Sequence, residues 1–79
     1  MEEIILKSAP QICVLSNKGY RFKHIKTGNT YTFIETLRSK NPLNGGWYDA
    51  VLYCDNKGGR FCRSFESFVL NFKAVKDDS

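Results

Sequence analysis

A chain of 79 residues is enough for one domain, whose core removes only about 60% of the unfolded surface from water and leaves a thin stability margin. Twelve Lys and Arg against eight Asp and Glu give a net charge of +4, and no stretch approaches the ~20 apolar residues of a membrane-spanning helix. The opening Met1-Glu2-Glu3-Ile4-Ile5-Leu6-Lys7 has neither the basic nor the apolar region of a secretory leader, so a soluble, cytoplasmic chain is expected. Cys13, Cys54 and Cys62 are an odd count, which fits a reduced compartment better than a disulfide scaffold.

The charge is unevenly spread. From Lys18 to Arg63 there are nine bases (Lys18, Arg21, Lys23, Lys26, Arg38, Lys40, Lys57, Arg60, Arg63) and three acids (Glu35, Asp49, Asp55), so the middle stands at +6. A basic body of this kind suits a polyanionic partner, because phosphate neutralisation supplies most nonspecific affinity for nucleic acid. The same charges also serve solubility and edge protection in many small domains.

In chain order, Glu2–Lys7 reads as an edge strand or a helical turn, and Pro10 argues against a long helix after it. Gln11–Leu15 is rich in β-formers, with Ile12 and Val14 opposite Cys13 and Leu15, as in a strand buried on both faces. Ser16–Gly19 signals a turn. Phe22–Glu35 reads as a β-hairpin with Gly28-Asn29 as its two-residue loop, which sets Lys26 opposite Tyr31, His24 opposite Phe33 and Phe22 opposite Glu35. One face then carries Phe22, His24, Lys26, Tyr31, Phe33 and Glu35, a mixture of aromatic and titratable groups. The second strand runs from Thr30 to Leu37 or Arg38.

Ser39–Gly46, with Pro42 and paired glycines, is expected to be a long mobile linker or a recognition loop. Trp47–Cys54 is the most apolar segment and reads as a central strand, followed by a turn at Asp55–Gly59 and a returning strand at Arg60–Ser64. Phe65, Phe68, Val69 and Phe72 then recur at helical spacing, with Ser64 as cap and Glu66 in the first turn. Phe72–Val75 is a last edge strand, and residues 76–79 are expected to form a frayed tail of the single domain 1–79.

Two blocks carry a family resemblance. Phe22, Lys23, His24, Lys26, Gly28, Tyr31 and Phe33 form the first, and Tyr53, Gly58 or Gly59, Phe61, Arg63 and Phe68 the second. Their pattern resembles that of a family of small phage and bacterial β domains of unknown function. Ser64 stands where the family often has Pro, Phe61 where Trp is common, and the first 19 residues are not covered. The resemblance implies a compact β domain in an intracellular setting, raises the odds of a phage origin and implies no activity.

The expected architecture is mainly β: a small antiparallel barrel, SH3-like or OB-like, of five or six strands with one short helix near the C-terminus. The expected function is that of a non-enzymatic module binding RNA, DNA or a nucleotide through Lys23, His24, Lys26, Tyr31, Trp47, Tyr48, Tyr53, Arg60 and Arg63, with bases stacked on tyrosines and phosphates held by lysine and arginine. The competing reading of the same residues is a core rim in which the tyrosines pack inward and Arg63 covers an aromatic ring. A phage-encoded inhibitor that contacts a host or defence protein through the Ser39–Trp47 loop and exposed aromatics is the functional alternative. An open edge at Ile4–Lys7 or Phe72–Val75 makes a homodimer credible. Cys54 and Cys62 lack the C-x₂₋₄-C spacing of a zinc knuckle, and the single His has no recognisable nucleophilic partner, so no metal, cofactor or catalytic group is expected.

Overall fold

In the computed structural model, which describes residues 4–76, two helices and five strands follow in the order α1 (Ala9–Asn17), β1 (Tyr20–His24), β2 (Thr30–Lys40), β3 (Trp47–Cys54), β4 (Arg60–Ser64), α2 (Phe65–Asn71) and β5 (Phe72–Lys76). Among the described residues no helix is long and apolar enough to cross a membrane.

The segment expected as a first strand is helical. Pro10 opens α1 instead of barring it, because a fixed φ suits the first turn and the missing N–H falls where a helix has no partner for it. Ile12 and Leu15, three apart, turn to one side and are buried, whereas Cys13 and Val14 face solvent. Packing of that stripe overrides the β preference of Ile, Cys and Val. Ahead of the helix, Ile4–Ser8 is neither strand nor helix. Gln11 ties it down, its Oε1 accepting from the Lys7 N–H at 2.6 Å and its Nε2 donating to the Ile5 carbonyl at 2.9 Å. Glu2 and Glu3 lie outside the described residues.

The hairpin forms with a longer turn than expected. Phe22 pairs with Tyr31 and Lys23 with Thr30, and the Gly28 N–H donates to the His24 carbonyl at 2.8 Å, so Ile25–Gly28 make a four-residue connection. Thr27 and Gly28 select it: Thr27 Oγ1 accepts from the Asn29 N–H at 3.3 Å, and Gly28 has φ +79°. Phe22 therefore meets Tyr31 instead of Glu35, a slide of four residues. An even slide leaves Phe22, His24, Tyr31 and Phe33 together on one face, as expected, whereas Ile25, Lys26 and Thr27 fall in the turn and on neither face.

The barrel is not formed. The sheet order is β4-β3-β2-β1-β5, all antiparallel, and its end strands β4 and β5 do not pair with each other. A helix joins β4 to β5, so the chain enters its last strand beside β1 and not beside β4. The sheet also changes partners along β2: Thr30 and Tyr31 pair with β1, whereas the strand pairs with β3 from Thr32 to Lys40 through a bulge between Phe33 and Glu35. A two-stranded β1–β5 ribbon thus hangs on a three-stranded meander.

Helix α2 begins as its cap signal predicts, with Ser64 Oγ accepting from the Ser67 N–H at 3.1 Å and Glu66 in the first turn. It seats Phe68, fully buried, flat on Phe72 with ring centroids 4.4 Å apart, and edge-on to Phe22 at 5.5 Å. Ile12, Leu15, Val51 and Tyr53 complete the core. Lys76 belongs to β5 and not to a tail: its Nζ donates to the Lys18 carbonyl at 2.8 Å and lies 4.8 Å from the centre of the Tyr20 ring. Residues 77–79 lie outside the described residues. Replacing Phe68 with Ala is expected to cost about 3–5 kcal/mol in urea unfolding; a loss under about 1 kcal/mol is incompatible with this packing.

Candidate functional site

The structure brings Tyr31, Tyr53 and Arg63 together, with Tyr53 in the core and Tyr31 and Arg63 half-buried at its rim. Tyr53 is 4% exposed. Arg63 Nε donates to the Tyr53 hydroxyl at 2.8 Å, Nη1 donates to Ser67 Oγ at 3.2 Å, and the guanidinium stands 5.5 Å from the Phe72 ring centre. Tyr31 meets Tyr53, Phe61 and Phe72 edge-on at 5.3, 5.9 and 5.6 Å. His24 packs edge-on against Phe72 at 5.0 Å, and its Nδ1 shares a 3.0 Å hydrogen bond with Thr27 Oγ1. Pleating puts β1's Phe22 and His24 inward, where the rings consume the stacking surfaces that a base would need.

The other face of β1 is different. Arg21 and Lys23 alternate with Phe22 and share the outer face with Val75 and Lys73 of β5, because Arg21 pairs with Val75 and Lys23 with Lys73. Two lysines directly opposed across a ladder repel each other in the folded chain. Lys26 is exposed at the adjoining turn. Among the described residues the one ion pair is Arg38 with Asp49, at 3.4 Å. The Lys23 side chain also lies over the turn, since a Cβ on Gly28 would come within 3.9 Å of its Cε. That turn borders an open polar cleft of about 400 Å³, lined on its far side by Asp55, Asn56 and Lys57. Asp55 is engaged there, its Oδ1 accepting from the Lys57 and Gly59 N–H groups at 2.9 and 2.7 Å.

Trp47, Tyr48 and Arg60 lie elsewhere. Arg60 is exposed at the start of β4. Trp47, 60% exposed, and Tyr48 stand at the far end of the β2–β3 hairpin, with Lys40 Nζ 5.8 Å from the Trp47 ring centre. They border an open groove of about 620 Å³ shared with Pro42, Asp49, Phe65 and Glu66. The loop beside it is a hairpin tip closed by its own hydrogen bonds. The Asn41 N–H donates to Gly46 O and the Gly45 N–H to Asn41 O, both at 2.8 Å, while the Asn41 and Asn44 side chains accept from the Leu43 and Gly46 N–H groups. Leu43 at its apex is 94% exposed. Cys54 faces Arg60 and Cys62 faces Leu52, and all three cysteines are free thiols.

Eight of the nine expected residues therefore divide into an aromatic-packed constellation, a cationic strand face and an aromatic hairpin end, and Arg60 stands apart at the start of β4. Sequence reasoning passed over Arg21 and Lys73. The alternation of Phe22 with Arg21 and Lys23, and of Phe72 with Lys73, was the available signal; the pairing of distant β1 and β5 gives it meaning. No protein-family model matches the chain, and no curated protein and no solved structure is significantly similar to it. The resemblance to small phage and bacterial β domains rests on the two sequence blocks themselves.

The hydrogen bond from half-buried Arg63 to buried Tyr53 has a measurable consequence. In a double-mutant cycle with Tyr53→Phe and Arg63→Met, unfolding is expected to yield a coupling of about 1.5 kcal/mol, as for hydrogen bonds to charged groups. Coupling indistinguishable from zero places the guanidinium in solvent.

Proposed function

We propose that the chain is a small non-enzymatic module that binds nucleic acid through the outer face of the β1–β5 ribbon, contacting phosphates more than bases. The observation that carries this reading is the register that sets Lys23 opposite Lys73 with Arg21 on the same face. An anionic backbone laid along the ribbon relieves that repulsion and exchanges its counterions for Arg21, Lys23, Lys26 and Lys73. The stacking aromatics nearest this face point into the core, which favours binding with little base preference. Three free thiols, and the resemblance to phage and bacterial domains, support a place in the cytoplasm, that of the host for a phage-encoded chain.

Fluorescence anisotropy with labelled single-stranded RNA and duplex DNA tests the reading. Four cations predict a log–log salt slope of about 2.8 in magnitude on the single strand and about 3.6 on the duplex, and absence of binding to either at low salt refutes the proposal. Lys73→Glu separates site from scaffold. It turns a repulsive cross-strand pair into an attractive one, so stability rises by about 0.2–1 kcal/mol while affinity falls. Arg60→Glu, on the opposite edge strand, leaves affinity nearly unchanged.

A further inference from the structure

Strand β3 is longer than the strand that covers it. Its pairing with β2 reaches Trp47, opposite Lys40, but its pairing with β4 begins only at Ala50, opposite Ser64. At Ser64 the chain leaves the sheet to form α2. Among the described residues, Trp47, Tyr48 and Asp49 therefore have a strand on one side alone, and all three are exposed. The vacant lane beside them is the 620 Å³ groove, closed at one end by Phe65 and Glu66 of α2 and flanked by Pro42.

We propose that this lane receives an extended segment of a partner protein, apolar and basic in alternation, which adds to the free edge of β3 in the place that β4 vacates. Backbone amides on the open side of Trp47–Asp49 supply the hydrogen bonds. Trp47 and Tyr48 supply apolar contact, large surfaces whose ordering takes little conformational entropy. Charge selects the segment: the acidic side chains lining the groove are Asp49 and Glu66, Asp49 is paired with Arg38, Lys40 stands over the Trp47 ring outside the lining, and Glu66 has no cation within ion-pair distance among the described residues. A basic side chain in the lane meets Glu66, whereas an acidic one is repelled. This surface adjoins the hairpin tip on which the expectation of a protein partner rests, and it is separate from the β1–β5 face.

Trp47 is the chain's single tryptophan, so the groove reports on itself. The probe is the blocked peptide Val-Lys-Val-Lys-Val, titrated into the full chain with Trp47 emission as the readout and circular dichroism to confirm that the fold persists. A saturable emission shift is expected, weakened several-fold by Glu66→Gln and further by Glu66→Lys, together with amide shifts at Trp47–Asp49 in NMR. A peptide N-methylated at alternate residues is expected not to bind, and Val-Glu-Val-Glu-Val to bind far more weakly. Equal binding of the N-methylated peptide overturns strand addition, and equal binding of the acidic peptide overturns the charge selection. No response to the lysine peptide overturns the proposal as a whole. An emission shift on concentrating the protein alone, with a matching rise in molecular mass, assigns the lane to a second copy and overturns it equally.

Discussion

The ring of Phe72 is the constraint on which the rest of the structure depends. It lies at the junction of α2 and β5 and meets Phe68 face to face at 4.4 Å, His24 of β1 at 5.0 Å, Tyr53 of β3 at 5.0 Å and Tyr31 of β2 at 5.6 Å, while the Arg63 guanidinium of β4 covers it at 5.5 Å. One side chain thus touches α2 and the other four strands. In a domain of this size, with few fully buried residues, such a ring sets where the strands must go. It holds β5 against β1, because Phe72 pairs with His24, and so commits the chain to an open sheet with two free edges.

The same ring sorts the charges. With aromatic groups gathered on the inner face of β1 and β5, pleating sends Arg21, Lys23 and Lys73 to the outer face. Arg63 is the exception and shows the condition for one: its donors reach the Tyr53 hydroxyl and Ser67 Oγ, and its plane lies over Phe72, so a half-buried charge keeps hydrogen-bond partners. The hairpin of β2 and β3 extends past β4 as an arm, consistent with a long axis of 42 Å against 28 and 23 Å. Its aromatic end and the cationic ribbon are two distinct surfaces.

Much of the second half was legible in the sequence. The alternation of Trp47–Cys54, the Gly turn after it and the return at Arg60–Ser64 describe β3 and β4, and Ser64 with Glu66 marks the start of α2. These are local signals, decided by residues within a turn or a strand length. The first helix was not legible, because Ile12, Cys13 and Val14 favour strands and Pro10 reads as a breaker; burial of Ile12 and Leu15 against the sheet reverses that preference. The grouping of aromatic and basic residues was legible, and their burial was not. His24, Tyr31, Tyr53 and Arg63 form one constellation, yet a tyrosine that packs inward and one that stacks on a ligand have the same local pattern.

By itself the sequence determined a mainly β chain, the central hairpins, the capped C-terminal helix and the sharing of one face by Phe22, His24, Tyr31 and Phe33. Parity along a strand is a local property, and it survived a four-residue change of register. Only the tertiary structure decided that the sheet stays open, that β5 lies against β1, that Lys23 and Lys73 become neighbours, and that, among the described residues, Trp47–Asp49 has a strand on the β2 side alone. Each of these depends on contacts between segments far apart in the chain, where burial of a few aromatic rings outweighs any local preference.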